Sequence, residues 1–291
     1  MSDKTGISWT NSTWNPVTGC TKVSPGCDNC YAETFAERFR GTPDHHFEHG
    51  FDVTMRPDRL DQVIRWRRPR LVFVNSMSDL FHASVSDAYI DRVFAAMLVA
   101  EQHTFQVLTK RPERMRRYFS KVKERSHEIV RAAFSLSLWK NPDDLADILA
   151  DRLSTPLHEA APNMWLGVSI ESNPYAWRAD MLRDVDAARL FLSVEPMLGA
   201  VDEVNLTNID WVIVGGESGF NARGMELTWA RDLRDRCAAL EVPFFFKQLG
   251  SVLARQLGVK GKGERLDDIP TDLRFREMPN GPTMNGVLLS T

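Results

Sequence analysis

The chain has 291 residues, 43% of them hydrophobic, with a formal net charge of -3 and four cysteines. That is enough apolar chain for one large core or two smaller ones, and the weak negative charge excludes a global field that gathers polyanions. No apolar run reaches the roughly 18 residues of a membrane span, the polar start MSDKTG is not a signal peptide, and the clustered cysteines do not form a secreted disulfide framework, so a soluble cytoplasmic protein is expected.

A first short strand is expected around residues 7–14, ahead of a cysteine-rich loop that leads into the helical run YAETFAERF. Further strands are predicted at 70–75 (RLVFVN), 104–109 (TFQVLT), 164–170 (MWLGVSI), 190–194 (LFLSV), 211–214 (WVIV) and 243–247 (PFFFK). These runs are almost continuously apolar, as strands covered on both faces must be, and helical patterns alternate with them. Ser86 is a predicted cap for a helix whose apolar stripe is Ile90, Val93, Phe94, Met97 and Leu98. Asn173-Pro174 predicts the start of another helix, and Thr228 the cap of a third with Leu233, Cys237 and Leu240 on its core face. Residues 120–160 read as a helical insertion, and the tail from about 258 as irregular or partly mobile. No linker interrupts the pattern, so residues 1–291 are expected to form a single α/β domain, a partial or complete parallel TIM-like barrel.

Polar groups follow every one of these strands. The ends read Ser76-Met77-Ser78-Asp79, Lys110-Arg111, Ser169 then Glu171, Ser193 then Glu195, Gly215-Gly216-Glu217-Ser218-Gly219, and Lys247-Gln248. In a parallel barrel the carboxyl ends of strands meet on one face, where active sites form, so a shared polar pocket is expected. The glycine segment is weak by itself, since it matches neither dinucleotide- nor triphosphate-binding patterns. Two basic runs, at 65–70 and 110–117, suit a solvated surface or an edge that contacts phosphates.

Cys20, Cys27 and Cys30 lie in the run GCTKVSPGCDNCYAE, a C-x6-C-x2-C pattern. Three thiolates can hold three irons of a cubane and leave the fourth iron open for a ligand. A zinc site closed by His45, His46 or His49 is the alternative, and with it a non-catalytic zinc- or cluster-stabilised nucleic-acid-binding protein. Cys237 falls on an apolar helix stripe and is expected in the core.

The chain resembles radical S-adenosylmethionine (SAM) enzymes. It is most similar to an uncharacterised phage-associated three-cysteine family with the pattern W-x-P-x-T-G-C-x6-C-x2-C-Y-A, here running from Trp14 through Cys20, Cys27 and Cys30 to Ala32. The likeness continues through NSMSDLFH, LTKRPERM, GVSIE, SVEPMLG, VIVGGESG and FFFKQLG. It departs from the common radical SAM spacing of C-x3-C-x2-C, and Asn29 stands where an aromatic residue usually precedes the third cysteine.

The resemblance implies a [4Fe–4S] cluster on Cys20, Cys27 and Cys30, with SAM on the open iron. Cleavage of SAM would give a 5′-deoxyadenosyl radical, and a flavodoxin- or ferredoxin-like donor would supply the electron. Tyr31 would then meet the adenine, and Ser76, Ser78 and Asp79 the methionine end. Glu171, Glu195, Glu217, Lys110 and Lys247 would orient the substrate or move protons. By analogy with phage association, the first-choice substrate is a nucleobase in DNA or RNA, with a small molecule or peptide as the alternative. Phe81, Trp165 and Phe220 are candidate stacking residues, and for Trp165 core packing is the stronger expectation.

Overall fold

The computed structural model describes residues 5–136 and 142–279. Seven parallel strands form one sheet curled into a half-barrel, in the order β1 (Ser12–Trp14), β4 (Leu71–Val74), β5 (Thr104–Thr109), β6 (Met164–Ser169), β7 (Arg189–Val194), β8 (Trp211–Gly215) and β9 (Phe244–Gln248). A two-stranded antiparallel ribbon, β2 (Val17–Thr18) with β3 (Thr54–Met55), sits outside that sheet. Sheet order follows chain order because each connection returns the chain to the same end; all of these crossovers contain helix except the one from β7 to β8, which has none. Among the described residues, no helix is long and apolar enough to cross a membrane.

The apolar strands have two covered faces, and successive side chains divide between them. Outward residues such as Val72, Val74, Leu192, Val212, Val214 and Phe246 join the main core beneath the helices. Inward residues Phe73, Phe191, Trp211, Ile213 and Phe245 form a second cluster around Trp9, which enters from the segment before β1. The Trp9 ring lies 4.6 Å from Phe73 and 6.0 Å from Trp211. Gly167 on β6 makes room for this packing, since a Cβ there would strike the Phe191 ring.

Helix α3 (Asp87–Val99) starts where its cap predicts, with Ser86 Oγ accepting from the Tyr89 amide at 3.3 Å. Its five stripe residues are all buried. The insertion between β5 and β6 contains α5 (Ser126–Ser135), α6 (Pro142–Ser154) and α7 (Leu157–Ala160), after α4 (Pro112–Phe119).

Two helix expectations need correction. Asn173-Pro174 opens only a short 3-10 turn, and the helix proper is α8 (Trp177–Arg183). Helix α9 (Leu227–Ala239) begins one residue before Thr228, which is therefore inside it; Leu240 lies past its end and is 56% exposed, and Ala230 joins Leu233 and Cys237 on the core face. Residues 258–279 contain two short 3-10 turns, yet they are packed against the sheet. Ile269 and Leu273 are buried, and Phe246 N donates to Phe275 O at 2.8 Å along the free edge of β9.

Candidate active site

The inward-facing rows end in polar side chains at the strands' carboxyl ends, although β5 also buries Gln106 below Leu108, where its Nε2 donates to Trp9 O. Phe73 gives way to Asn75, Leu108 to Lys110, Gly167 to Ser169, Phe191 to Ser193 and Glu195, and Phe245 to Lys247. The result is a cavity of about 630 Å³ with an apolar floor of Ile7, Trp9, Phe73 and Leu108 beneath a polar wall. The N-terminal segment contributes Gly6 and Ile7, and the C-terminal segment Lys262 and Glu264.

The cysteine loop forms the rim. It is attached to the sheet by a bridge between Gly19 and Ser78, in which Gly19 N donates to Met77 O at 3.0 Å. Gly19 has a φ of 83°, and a Cβ there would collide with the Asp52 carbonyl, so only glycine fits. Cys20, Cys27 and Cys30 all line the cavity. Cys30 precedes helix α1 (Tyr31–Glu37), whose Tyr31 hydroxyl donates to Ser76 O at 2.5 Å. Burial, reinforced by the Asp79 charge, pushes the Cys20 thiol up to about 11, and burial also raises Cys30. These thiols are protonated in the metal-free chain, so a metal must displace protons to bind.

Ion pairs join the strand ends to this loop. Glu171 is fully buried; it accepts from Lys110 Nζ at 2.6 Å, Arg178 Nη1 at 3.1 Å and Ser24 Oγ at 2.7 Å. Burial alone would raise its carboxyl, but the charges of Lys110 and Arg178 hold it below the usual range. Glu217 accepts from Arg223 Nη2 at 2.6 Å and Asn29 Nδ2 at 3.1 Å, while Arg223 Nη2 also reaches Pro25 O at 2.7 Å. Burial opposes ionisation of Glu217 too, and the Arg223 and Asn29 hydrogen bonds lower it. Glu195 pairs with Lys247 Nζ at 2.6 Å, with both side chains partly open to the cavity.

Eleven of the twelve expected site residues line this cavity: the three cysteines, Tyr31, Ser76, Ser78, Asp79, Lys110, Glu195, Glu217 and Lys247. Glu171 does not. It stands behind the wall, saturated by its partners. Asp79 lines the cavity but is engaged by Thr109, the Lys110 amide and Arg111, and Ser78 Oγ donates to Val17 O.

Of the candidate stacking residues, Trp165 takes the packing role expected of it, and Phe81 and Phe220 do not line the cavity. Phe81 is buried against Phe119, Trp165 packs on Trp211 below the cavity, and Phe220 is 99% exposed at a loop tip. Run 65–70 precedes β4 and so sits at the opposite end of the sheet from the cavity. Run 110–117 begins in the cavity wall, but Arg114 and Arg116 are paired with Asp87 and Asp184. Sequence reasoning missed Arg178, Arg223, Asn29 and the Lys262–Glu264 wall; only Arg111, beside a predicted strand end, carried a signal.

Among the described residues, no three His, Cys, Asp or Glu side chains converge closely enough to hold one metal ion. His45 accepts from the Phe47 amide and stacks on Phe39, and His46 meets Arg59, so neither reaches the cysteines. A cubane does not require that convergence, because each thiolate binds a different iron. Three thiols on one glycine-containing loop, opening on one cavity, fit such a cluster.

These features define an α/β half-barrel with a cysteine-rimmed polar cavity at the carboxyl ends of its strands. The chain belongs to the family described as "Protein of unknown function (DUF5131)", whose model matches residues 4–279. No curated protein and no solved structure matches it.

Proposed function

We propose that this protein is a radical SAM-type [4Fe–4S] enzyme, and that its half-barrel is a partial barrel of the radical SAM kind. One observation carries the reading: Cys20, Cys27 and Cys30 rim the same cavity into which the strand ends direct Lys110, Glu195, Glu217 and Lys247. When bound, the cluster supplies the electron that cleaves SAM to methionine and a 5′-deoxyadenosyl radical.

The chain's own residues then have separable tasks. Cys20, Cys27 and Cys30 hold the metal as thiolates, against the burial that favours the thiol form of Cys20 and Cys30. Tyr31 and Ser76, linked by a 2.5 Å hydrogen bond at the rim, are placed to bind SAM. Ser78 and Asp79 act one layer back, on the strand end and on Arg111. Lys247 Nζ donates to Glu195 Oε1 at 2.6 Å within the cavity, and this is the pair assigned to proton transfer with the substrate. Glu171 holds Lys110 in place, and Glu217 with Arg223 clasps the cysteine loop.

The floor of Ile7, Trp9, Phe73 and Leu108 suits the flat face of a planar ring whose polar edge turns to the polar wall. A single nucleobase, free or extruded from a strand, has that chemistry. The paired arginines of run 110–117 and the remote position of run 65–70 give less support to a long nucleic-acid track.

The test is anaerobic reconstitution with iron and sulfide, reduction by dithionite, and assay for 5′-deoxyadenosine formed from SAM. Cys20→Ala abolishes cluster uptake. Cys237→Ala keeps it, because Cys237 is buried on α9 with its thiol pushed up to about 12 by burial. One equivalent of zinc, without cluster absorbance or SAM cleavage, overturns the enzyme reading in favour of a metal-stabilised binding protein.

A further inference from the structure

Arg111 lies in the turn between β5 and α4, and its guanidinium reaches the cysteine loop. Nη1 stands 3.3 Å from Cys20 Sγ and 2.9 Å from Asp79 Oδ2. Nη2 donates to Thr21 O at 2.9 Å and to Thr21 Oγ1 at 3.1 Å. The side chain is only 14% exposed.

Its anchor is equally fixed. Asp79 also accepts from Thr109 Oγ1 at 2.8 Å, the Lys110 amide at 3.2 Å and the Phe81 amide at 2.9 Å. Thr21 Oγ1 meets His82 Nε2 at 2.9 Å. An arginine held this firmly keeps one N–H directed at the Cys20 sulfur. Cys27 Sγ, by contrast, meets the Ser24 hydroxyl at 4.0 Å, with no arginine contact among the described residues.

We propose that Arg111 is a positioning residue for the cluster. Through its N–H···S contact and its charge at Cys20 it raises the cluster's reduction potential. The inference rests on the cluster reading given above. One-electron reduction adds negative charge to the iron and its thiolates, with the electron supplied by the donor protein or, in the test, by dithionite. A cation and a hydrogen bond at a ligand sulfur stabilise that added charge more than they stabilise the oxidised form. Asp79 opposes part of this effect but holds the guanidinium against the sulfur. Lysine retains the charge at this position and loses the planar fork that bonds Cys20, Asp79 and Thr21 together.

The test compares wild-type protein with R111K, R111Q and R111M after anaerobic reconstitution. Iron and sulfide per chain are measured first. The midpoint potential is then read by electron paramagnetic resonance during dithionite titration without SAM, so turnover is not needed. For R111M the expected result is a tenfold lower ratio of reduced to oxidised cluster at fixed potential, a fall of about 59 mV for a one-electron couple. R111Q falls by less, and R111K stays near wild type. Full iron and sulfide in R111M with an unchanged midpoint overturns the proposal. Loss of iron from all three variants overturns it as well, by making Arg111 an anchor of the loop instead. A wild-type chain that takes up no cluster defeats the underlying cluster reading, and this inference with it.

Discussion

The buried charges at the strand ends sit where desolvation is costly, so each must be matched. Glu171 has two cations and a hydroxyl within 3.1 Å and no exposed surface. Removing its charge leaves Lys110 and Arg178 uncompensated, a loss typically of about 3–5 kcal/mol for a buried pair. Glu171→Gln is therefore expected to lower the melting temperature strongly at pH 7. The pH dependence follows from the depressed carboxyls of Glu171 and Glu217. A group lowered in the folded state binds its proton more readily in the unfolded chain, so its stabilisation is complete above the unfolded value of about 4.3. That stabilisation disappears as pH falls through the lower folded values. Thermal melts from pH 6 to pH 3 should decline steeply for the wild type and less steeply for Glu171→Gln. Parallel curves would show that Glu171 is not the titrating strut.

At the scale of elements, the cysteine loop depends on glycine geometry more than on side-chain packing. Gly19→Ala places a Cβ against the Asp52 carbonyl in a left-handed conformation, and the bridge to Ser78 must open. Such backbone strain costs on the order of 1–3 kcal/mol, which the separate core of the half-barrel can absorb. The expected outcome is a folded protein that retains much less iron after reconstitution. Gly41→Ala is the control, because Gly41 has a φ of 77° but open space around it. Full iron retention in Gly19→Ala would count against the loop as the metal-binding element.

Most of these elements were legible in the sequence because strands covered on both faces carry dense apolar runs, as 104–109 does. Helix starts were less legible. Thr228 has a good cap residue type, but Glu226 precedes the helix and tertiary packing sets the boundary. The strand-end residues were legible as a group. Their division into a cavity pair, Lys247 with Glu195, and a buried strut, Lys110 with Glu171, depends on α8, whose Arg178 no motif marks. Arg223 was invisible for a similar reason, since its partners Asp28 and Pro25 are almost two hundred residues away.

The whole molecule is an open half-barrel whose edge strands β1 and β9 do not pair with each other. An open lumen would admit water, and the described segments before β1 and after β9 oppose this. The segment before β1 inserts Trp9 among Phe73, Phe191 and Trp211, and the tail after α10 (Ser251–Gln256) runs along β9 and brings Lys262 and Glu264 to the cavity wall. Trp9 is 2% exposed and is the common neighbour of three aromatic rings, so its loss cannot be repaired by small shifts of one partner. Trp9→Ala is expected to cost about 3–5 kcal/mol, which for a chain of this size lowers the melting temperature by roughly 10 °C. Trp9→Phe keeps most of the contact and should lose under half as much. Because the cysteine loop is held separately, by Gly19 and Arg223, iron uptake by the folded Trp9→Ala chain should match the wild type. A shift below about 3 °C would mean that Trp9 does not close the lumen. Lost iron uptake with an unchanged melting temperature would place Trp9 in the metal site itself.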